Sequence, residues 1–214
     1  MCKSSDSVSK LADALYSGKV CVFETDTVIG IACSVFPFNK NLTLEESIKT
    51  GHASYEKIYQ IKNRDKSKQL PWMLYDKNDL NSWIHEKDFF NTKHFNKTLS
   101  DLINTGWPGA TTLIFNVNEK VPDYCCSTSK NKKTVAFRVP KFKELCEAIK
   151  LCGSPIFCTS ANISGQLPVS DINYAPHEVL NEVDFVFTKH CTTKQSNKPS
   201  KIIDCTNSDF RQLR

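Results

Sequence analysis

The chain has 214 residues, of which 40% are hydrophobic and 24% are charged, and its formal net charge is +5. This length suits one domain with a substantial core, no apolar run is long enough to span a bilayer, and the N-terminus lacks the apolar segment of a secretion signal. We therefore exclude a membrane protein and a small secreted disulfide scaffold, and we expect a cytoplasmic protein whose ten cysteines are reduced.

The first part of the chain predicts a helix followed by two strands. Apolar residues between 8 and 15 recur at helical spacing, and Gly18 ends the helix. Residues 19–23 and 27–36 are rich in apolar and β-branched residues, which predicts strands on either side of a polar turn. Residues 38–53 have a weaker pattern, in which a short helix would end at Gly51. We interpret this segment as a surface insertion.

A second helix is predicted from Tyr55, and a cluster of cations lies between it and a strand at residues 70–75. The cations are Lys62, Arg64, Lys66 and Lys68. Such a cluster is usually a solvated surface. In a helix-to-strand connection, however, Lys and Arg two residues apart can face one polyanion, and phosphate is the ligand that both groups bind well.

The remainder of the chain continues the alternation of helices and strands. The sequence predicts helices over residues 79–85, 95–104, 141–152 and 175–183, and strands over residues 111–117, 134–139, 184–188 and 202–204. No internal repeat and no low-complexity linker separates these elements. We therefore expect one α/β domain over residues 1–214.

Residues 153–165 are the most informative segment of the chain. A short apolar run, Ile156-Phe157-Cys158, predicts a buried strand, and small polar residues follow it directly. These residues are Thr159, Ser160, Asn162, Ser164 and Gly165. They are common in ordinary turns. Hydroxyls, amides and free backbone N–H groups at the end of a strand also suit a loop that binds a polar ligand.

Six segments resemble, in order and in spacing, the motifs of one family. Lys62-Asn63-Arg64 and Ser160-Ala161-Asn162 match the KxR and SxN signature of the threonylcarbamoyl-AMP synthase, or YrdC-like, family. The other four segments are residues 24–30 (ETDTVIG), 107–112 (WPGATT), 135–140 (VAFRVP) and 199–204 (PSKIID), the last followed by Phe210-Arg211-Gln212. Together they cover nearly the whole chain.

The resemblance implies an α/β fold in which a twisted mixed sheet with flanking helices surrounds a positively lined concave cleft. It implies the condensation of L-threonine, bicarbonate or CO2, and ATP to threonylcarbamoyl-AMP and pyrophosphate. Partner proteins would then transfer the threonylcarbamoyl group to the adenosine beside the anticodon of tRNA. Some relatives carry a further C-terminal domain, and this chain resembles the single-domain form.

The resemblance also implies roles for individual residues. The catalytic residues would be Lys62, Arg64, Ser160 and Asn162, and further ATP contacts would come from Lys68, Thr112, Ser170 and Arg211. The threonine contacts would be Thr27, Ser200 and Arg138. Mg²⁺ is expected with the nucleotide, held mainly by phosphate oxygens and water, because no carboxylate cluster stands out in the sequence.

The chemistry agrees with the kinds of residue in these motifs. A carbamate is unstable in water, so the site must hold three reactants together and exclude solvent. No Ser–His–Asp or Cys–His pattern is evident, and the five histidines lie outside the motifs. We therefore expect mainly electrostatic catalysis by the cations, and surface or packing roles for the histidines.

Three alternatives remain open at the level of sequence. Arg138 could simply anchor a buried carboxylate such as Asp26 or Asp204. The basic concavity could bind double-stranded RNA or tRNA without turnover, as in a ribosome-maturation module. The chain also resembles a domain of hydrogenase-maturation carbamoyltransferases, but it lacks their length and cysteine spacing.

One departure from the family pattern is Glu24, which replaces the usual proline and adds a negative charge beside the nucleotide site.

Overall fold

The computed structural model describes residues 3–37, 43–85, 93–129, 132–193, 195–207 and 209–214. Within these ranges there are five α-helices: α1 (Val8–Tyr16), α2 (Leu44–Lys62), α3 (Lys93–Gly106), α4 (Lys143–Cys152) and α5 (His177–Leu180). Short 3-10 helices span Lys77–Ser82, Asp123–Cys125 and Ile172–Tyr174. None of the described helices is long and apolar enough to cross a bilayer.

The strands form one mixed sheet. They are β1 (Lys3–Ser5), β2 (Cys21–Phe23), β3 (Gly30–Ser34), β4 (Trp72–Met73), β5 (Thr111–Asn116), β6 (Ser127–Ser129), β7 (Lys132–Arg138), β8 (Ile156–Ser160), β9 (Phe185–Phe187), β10 (Lys201–Asp204) and β11 (Arg211–Gln212). Their order is β1-β9-β2-β3-β8-β4-β7-β5-β10-β11, and β6 pairs with β7 outside this path. The pairs β1/β9, β2/β9, β4/β7 and β5/β10 are parallel, and the other pairs are antiparallel. The predicted fold class, a mixed sheet with flanking helices, is confirmed.

Alternating strand residues separate the two faces of the sheet. In β2, Cys21 and Phe23 pack with residues of α1 and α4, whereas Val22 packs with residues of α2 and α3. Ile156 and Phe157 divide in the same way in β8. Because successive side chains of a strand point to opposite faces, both faces are buried and each is covered by a pair of helices.

The helix α2 differs from its sequence-based prediction. It runs without interruption from residue 44 to residue 62, through Gly51, so the prediction that Gly51 ends a short helix is wrong. A capping box stabilises its N-terminus, in which Thr43 Oγ1 accepts from Glu46 N at 3.3 Å and Glu46 Oε2 accepts from Thr43 N at 2.7 Å. The helix ends at Asn63, whose left-handed backbone has φ 48°.

Close packing explains why glycine is present within α2. A Cβ atom on Gly51 would lie 2.5 Å from the carbonyl oxygen of Val35 and 3.0 Å from the ring of Pro37. Glycine costs a helix interior about 1 kcal/mol relative to alanine, so close contact with the loop after β3 outweighs helix propensity here. Residues 38–42 of the predicted insertion lie outside the described residues.

We predict that Gly51→Ala lowers the free energy of unfolding by about 1–2 kcal/mol, because the clash with backbone exceeds the gain in helix propensity. Urea denaturation measures the change. Lys49→Ala, an exposed position on the same helix, is the control and should change stability by less than about 0.5 kcal/mol. A stabilised Gly51→Ala variant would contradict the packing argument.

Candidate functional site

A cavity of about 360 Å³ lies against the middle of the sheet. It is bordered by the polar turn before β3, the connection between α2 and β4, and residues of β4, β5, β7, β8 and β10. Six of the sequence-predicted site residues line it: Thr27, Arg64, Thr112, Arg138, Ser160 and Ser200. Segments that are far apart in the sequence therefore meet at one cavity.

Lys62 lies behind the cavity wall. It is 2% exposed, and its Nζ donates to the backbone carbonyls of both Ser160 and Asn162. Its own carbonyl accepts from Ser164 N at 2.8 Å. Burial, and secondarily the charge of Arg64, lowers the pKa of Lys62 from 10.5 to about 8. Lys62 thus joins the C-terminus of α2 to the end of β8 and to the loop that follows it. The side chain forms these contacts because it is buried and not in an exposed loop.

Arg64 lines the cavity two residues later. Its Nε donates to the carbonyl of Lys68 at 2.9 Å, and Nη2 donates to the carbonyl of Gln69 at 3.2 Å. Tyr59 supports the same turn, because its hydroxyl also donates to the carbonyl of Lys68 at 2.9 Å. These bonds hold the guanidinium in place at the cavity wall, and no acceptor among the described residues contacts Nη1.

The other two cations of the cluster lie away from the cavity. Lys66 is exposed and pairs with Glu56, and Lys68 is exposed and is not part of the cavity lining. The structure therefore divides the cluster into one buried cation, one cavity cation and two surface cations. Spacing in the sequence could not distinguish them.

Arg138 connects the cavity to a buried carboxylate. The side chain is 6% exposed and its Nη2 pairs with Asp26 Oδ1 at 2.6 Å. Nη1 donates to the hydroxyl of Thr27 at 2.9 Å, and Nε donates to the carbonyl of Gly109 at 2.9 Å. The anchoring contact that the sequence left open is thus formed with Asp26, and Arg138 also lines the cavity.

Hydroxyl groups continue the polar lining. The Thr27 hydroxyl contacts that of Thr25 at 2.8 Å, and the Thr112 hydroxyl contacts that of Ser200 at 2.7 Å. The second contact joins β5 to the residue that precedes β10, as the parallel pairing of these strands requires. The Thr112–Ser200 pair can turn a donor or an acceptor towards a ligand, because hydroxyl hydrogens rotate freely. In the other pair Thr25 Oγ1 donates to the carbonyl of Val28 at 2.7 Å, so the Thr27 hydroxyl donates to Thr25.

Besides Lys62 and Lys68, three further predicted residues are not part of the cavity lining. Asn162 donates from Nδ2 to the carbonyls of Ile163 at 3.0 Å and Gln166 at 2.7 Å, and its buried Oδ1 has no hydrogen-bond partner among the described residues. Ser170 Oγ donates to the carbonyl of Thr27 at 3.2 Å. Arg211 is exposed in β11. The first two residues hold the loops that border the cavity.

Arg214 lines the cavity, and sequence reasoning missed it. Its Nε donates to the carbonyl of Ser200 at 3.0 Å. Burial, and then the charges of Arg138 and Arg64, lower its pKa. The family motif directed attention to Arg211, and only the path of the chain after β11 brings Arg214 to the cavity. The mutual repulsion of three guanidinium groups favours an anionic ligand.

Comparisons with known proteins identify related sequences and structures. The profile of the family of Sua5, YciO and YrdC proteins, described as "telomere recombination", matches residues 47–214. A threonylcarbamoyl-AMP synthase from Blochmanniella pennsylvanica is 29% identical over 201 residues, which are 94% of this chain and 90% of that protein.

Two solved structures share the fold. P. abyssi Sua5 in complex with L-threonine superposes with a TM-score of 0.76 at 20% identity, over 100% of this chain and 56% of that chain. E. coli YciO superposes with a TM-score of 0.70 at 18% identity, over 100% of this chain and 93% of that chain. This chain therefore spans little more than half the length of Sua5.

We predict that the stability gained from Lys62 depends on pH. Between pH 8 and 10.5 this lysine is protonated in the unfolded chain and deprotonated in the folded chain. Unfolding therefore takes up a proton, and the free energy of unfolding rises with pH in this window. Relative to Lys62→Met, the wild-type protein should gain about 1–3 kcal/mol between pH 7.5 and 10.5. Denaturant titrations of both proteins measure the difference, and a constant difference would contradict the lowered pKa.

We also predict that the Arg138–Asp26 pair responds non-additively to mutation. Arg138→Met should cost about 3–5 kcal/mol because it leaves a buried carboxylate without its cation. Adding Asp26→Asn should recover part of that loss, because the buried charge is then removed. Denaturation of the two single variants and the double variant gives the coupling. Simple addition of the two single effects would contradict a direct ion pair.

Proposed function

The chain belongs to the Sua5/YciO/YrdC family, and on this basis we propose that it is an L-threonylcarbamoyladenylate synthase, a nucleotidyltransferase of the cytoplasm. It condenses L-threonine, bicarbonate or CO2, and ATP to threonylcarbamoyl-AMP and pyrophosphate. Downstream proteins use this product to modify the adenosine next to the anticodon of tRNA. Curated relatives that span 90% or more of this chain carry the name threonylcarbamoyl-AMP synthase.

The observation that carries the proposal is the composition of the cavity. Three guanidinium groups, from Arg64, Arg138 and Arg214, line one cavity with the hydroxyls of Thr27 and Ser160. Such a site favours a polyphosphate and an amino-acid carboxylate, because both are anions that accept bidentate hydrogen bonds from arginine. The L-threonine bound in P. abyssi Sua5 supports the assignment of the amino acid.

The proposed roles follow the positions of the residues. Arg64, Ser160 and Thr112 contact the nucleotide, and Arg64 stabilises the charge that develops at the α-phosphate as pyrophosphate departs. Lys62 and Asn162 do not contact the nucleotide; they fix the end of β8, which carries Ser160, and the loop that follows it. We also propose that Lys68, Ser170 and Arg211 contact the nucleotide, although none of the three is part of the cavity lining in this structure.

The threonine would lie beside the nucleotide, because the hydroxyl of Ser200 contacts that of Thr112 at 2.7 Å. Thr27, Ser200 and Arg138 are its proposed contacts, with the arginine facing the carboxylate. Condensation requires the threonine amine to form a carbamate, whose oxygen then attacks the α-phosphate. This step requires the exclusion of water, because the carbamate is otherwise lost.

Mg²⁺ enters the proposal as part of the nucleotide substrate. The described cavity lining contains neither Asp nor Glu, so the side chains that offer oxygen to a hard cation there are hydroxyls and the amide of Gln69. Mg²⁺ prefers to keep several waters and to bind substrate phosphates. The residues present thus suit an ion that is held by the triphosphate and water.

We predict that the protein releases pyrophosphate from ATP only when L-threonine and bicarbonate are both present. Arg64→Ala should lower the rate about 100-fold, because transition-state charge loses a positioned cation. Lys66→Ala is the matched control, since it removes a surface cation of the same segment, and should retain nearly the wild-type rate.

The assay omits threonine, then bicarbonate, and then replaces threonine with serine. Absence of pyrophosphate release in the complete mixture, together with RNA binding that weakens steeply with salt, would overturn the proposed function in favour of an RNA-binding module. Equal loss of activity in both variants would contradict the role of Arg64.

A further inference from the structure

Glu24 is a buried carboxylate next to the cavity, and the proposed reaction does not use it. It lies in the polar turn that leads to Thr25 and Thr27, and it is 3% exposed. Its Oε1 accepts from Ile172 N at 3.1 Å and contacts His190 Nδ1 at 2.8 Å. Its Oε2 accepts from Cys191 N at 2.8 Å. One side chain therefore holds two separate loops.

The second of these loops lies between β9 and β10, and we call its described residues, 188–193 and 195–200, the strap. Further bonds fasten it to the same turn. Gln195 Nε2 donates to the carbonyls of Thr25 at 3.1 Å and Ser170 at 3.2 Å, and Ser196 N donates to the carbonyl of Asp26 at 3.0 Å. The strap ends at Ser200, a residue of the cavity wall.

A cation site is a poorer explanation of this cluster. Ligand atoms of Glu24, Asp171 and His190 lie within 4.8 Å of one another. However, both oxygens of Glu24 already accept from backbone N–H groups of the two loops, and a metal would compete with these bonds. The Glu24 carboxylate also raises the pKa of His190, which favours a ring nitrogen that donates to Glu24. These contacts are those of a carboxylate that accepts hydrogen bonds from several N–H groups.

We propose that Glu24 is a positioning residue that sets the threonine side of the cavity by fastening the strap to the turn containing Thr27. This inference rests on the proposed function. Charge-assisted bonds to a buried carboxylate are stronger than neutral ones, so loss of Glu24 releases Cys191 and His190 first. Only the bonds of Gln195 and Ser196 then join the strap to the carbonyls of Thr25 and Asp26. The turn that carries Thr27 thus loses its charged anchor, whereas Ser200 keeps its bonds to Thr112 and Arg214.

The test compares Glu24→Ala and Glu24→Gln with the wild-type protein by hydrogen exchange and by calorimetry with L-threonine and with ATP. In Glu24→Ala, exchange within residues 188–200 should accelerate while exchange in α1 and α4 is unchanged. The Kd for L-threonine should rise about tenfold, with the Kd for ATP changing less than about threefold. Glu24→Gln should be intermediate, because the amide keeps one acceptor oxygen and presents donors at the other position.

Glu144→Gln is the matched control. Glu144 pairs with Lys189 of the strap at 3.3 Å from the side of α4, and it is not part of the cavity lining. This variant should keep the wild-type exchange and both affinities. Unchanged strap exchange in Glu24→Ala, or equal weakening of both ligands, would overturn the positioning role. If the wild-type protein bound neither ligand, the proposed function would fail, and hydrogen exchange would still decide whether Glu24 fastens the strap.

Discussion

The contact between the Lys62 ammonium and the loop after β8 is the constraint on which the site depends. It joins the C-terminus of α2 to the carbonyls of Ser160 and Asn162, which belong to the opposite border of the cavity. A buried ammonium is costly unless it donates hydrogen bonds, and two carbonyls provide the acceptors. The same contact fixes where Arg64, two residues further on, enters the cavity.

Cations dominate the cavity because most of the nearby carboxylates are engaged elsewhere. Asp26 is held by Arg138, Glu24 is surrounded by N–H donors, and Glu56 pairs with Lys66 at the surface. Arg64 and Arg214 therefore face the cavity without an ion pair to a carboxylate among the described residues, next to Arg138, whose charge is compensated by Asp26. An anionic substrate relieves the remaining repulsion. Packing on both faces of the sheet keeps Arg138 in place, since β7 cannot shift independently. Arg64 and Arg214 lie outside the strands and are held by hydrogen bonds to backbone carbonyls.

The structure also separates cations that look equivalent in the sequence. Three cations occupy alternate positions of one short segment. Lys62 is buried, Arg64 lines the cavity and Lys66 is at the surface. The end of α2 determines these different positions, because the left-handed backbone at Asn63 changes the direction of the chain between Lys62 and Arg64. Glu24 gives a second example. Glu24 departs from the family pattern, but this departure does not predict its bonds to residues more than 140 positions away.

The sequence by itself determined the fold class, most strands and helices, and the motifs that meet at the cavity, because hydrophobic periodicity and collinear motifs are local properties of the chain. Tertiary structure alone decided the uninterrupted path of α2 through Gly51, the burial of Lys62, the pairing of Arg138 with Asp26 rather than Asp204, and the arrival of Arg214. Each of these depends on a contact between distant segments. Such contacts are fixed by packing and by the need to satisfy buried charges, and neither can be evaluated before the chain is folded.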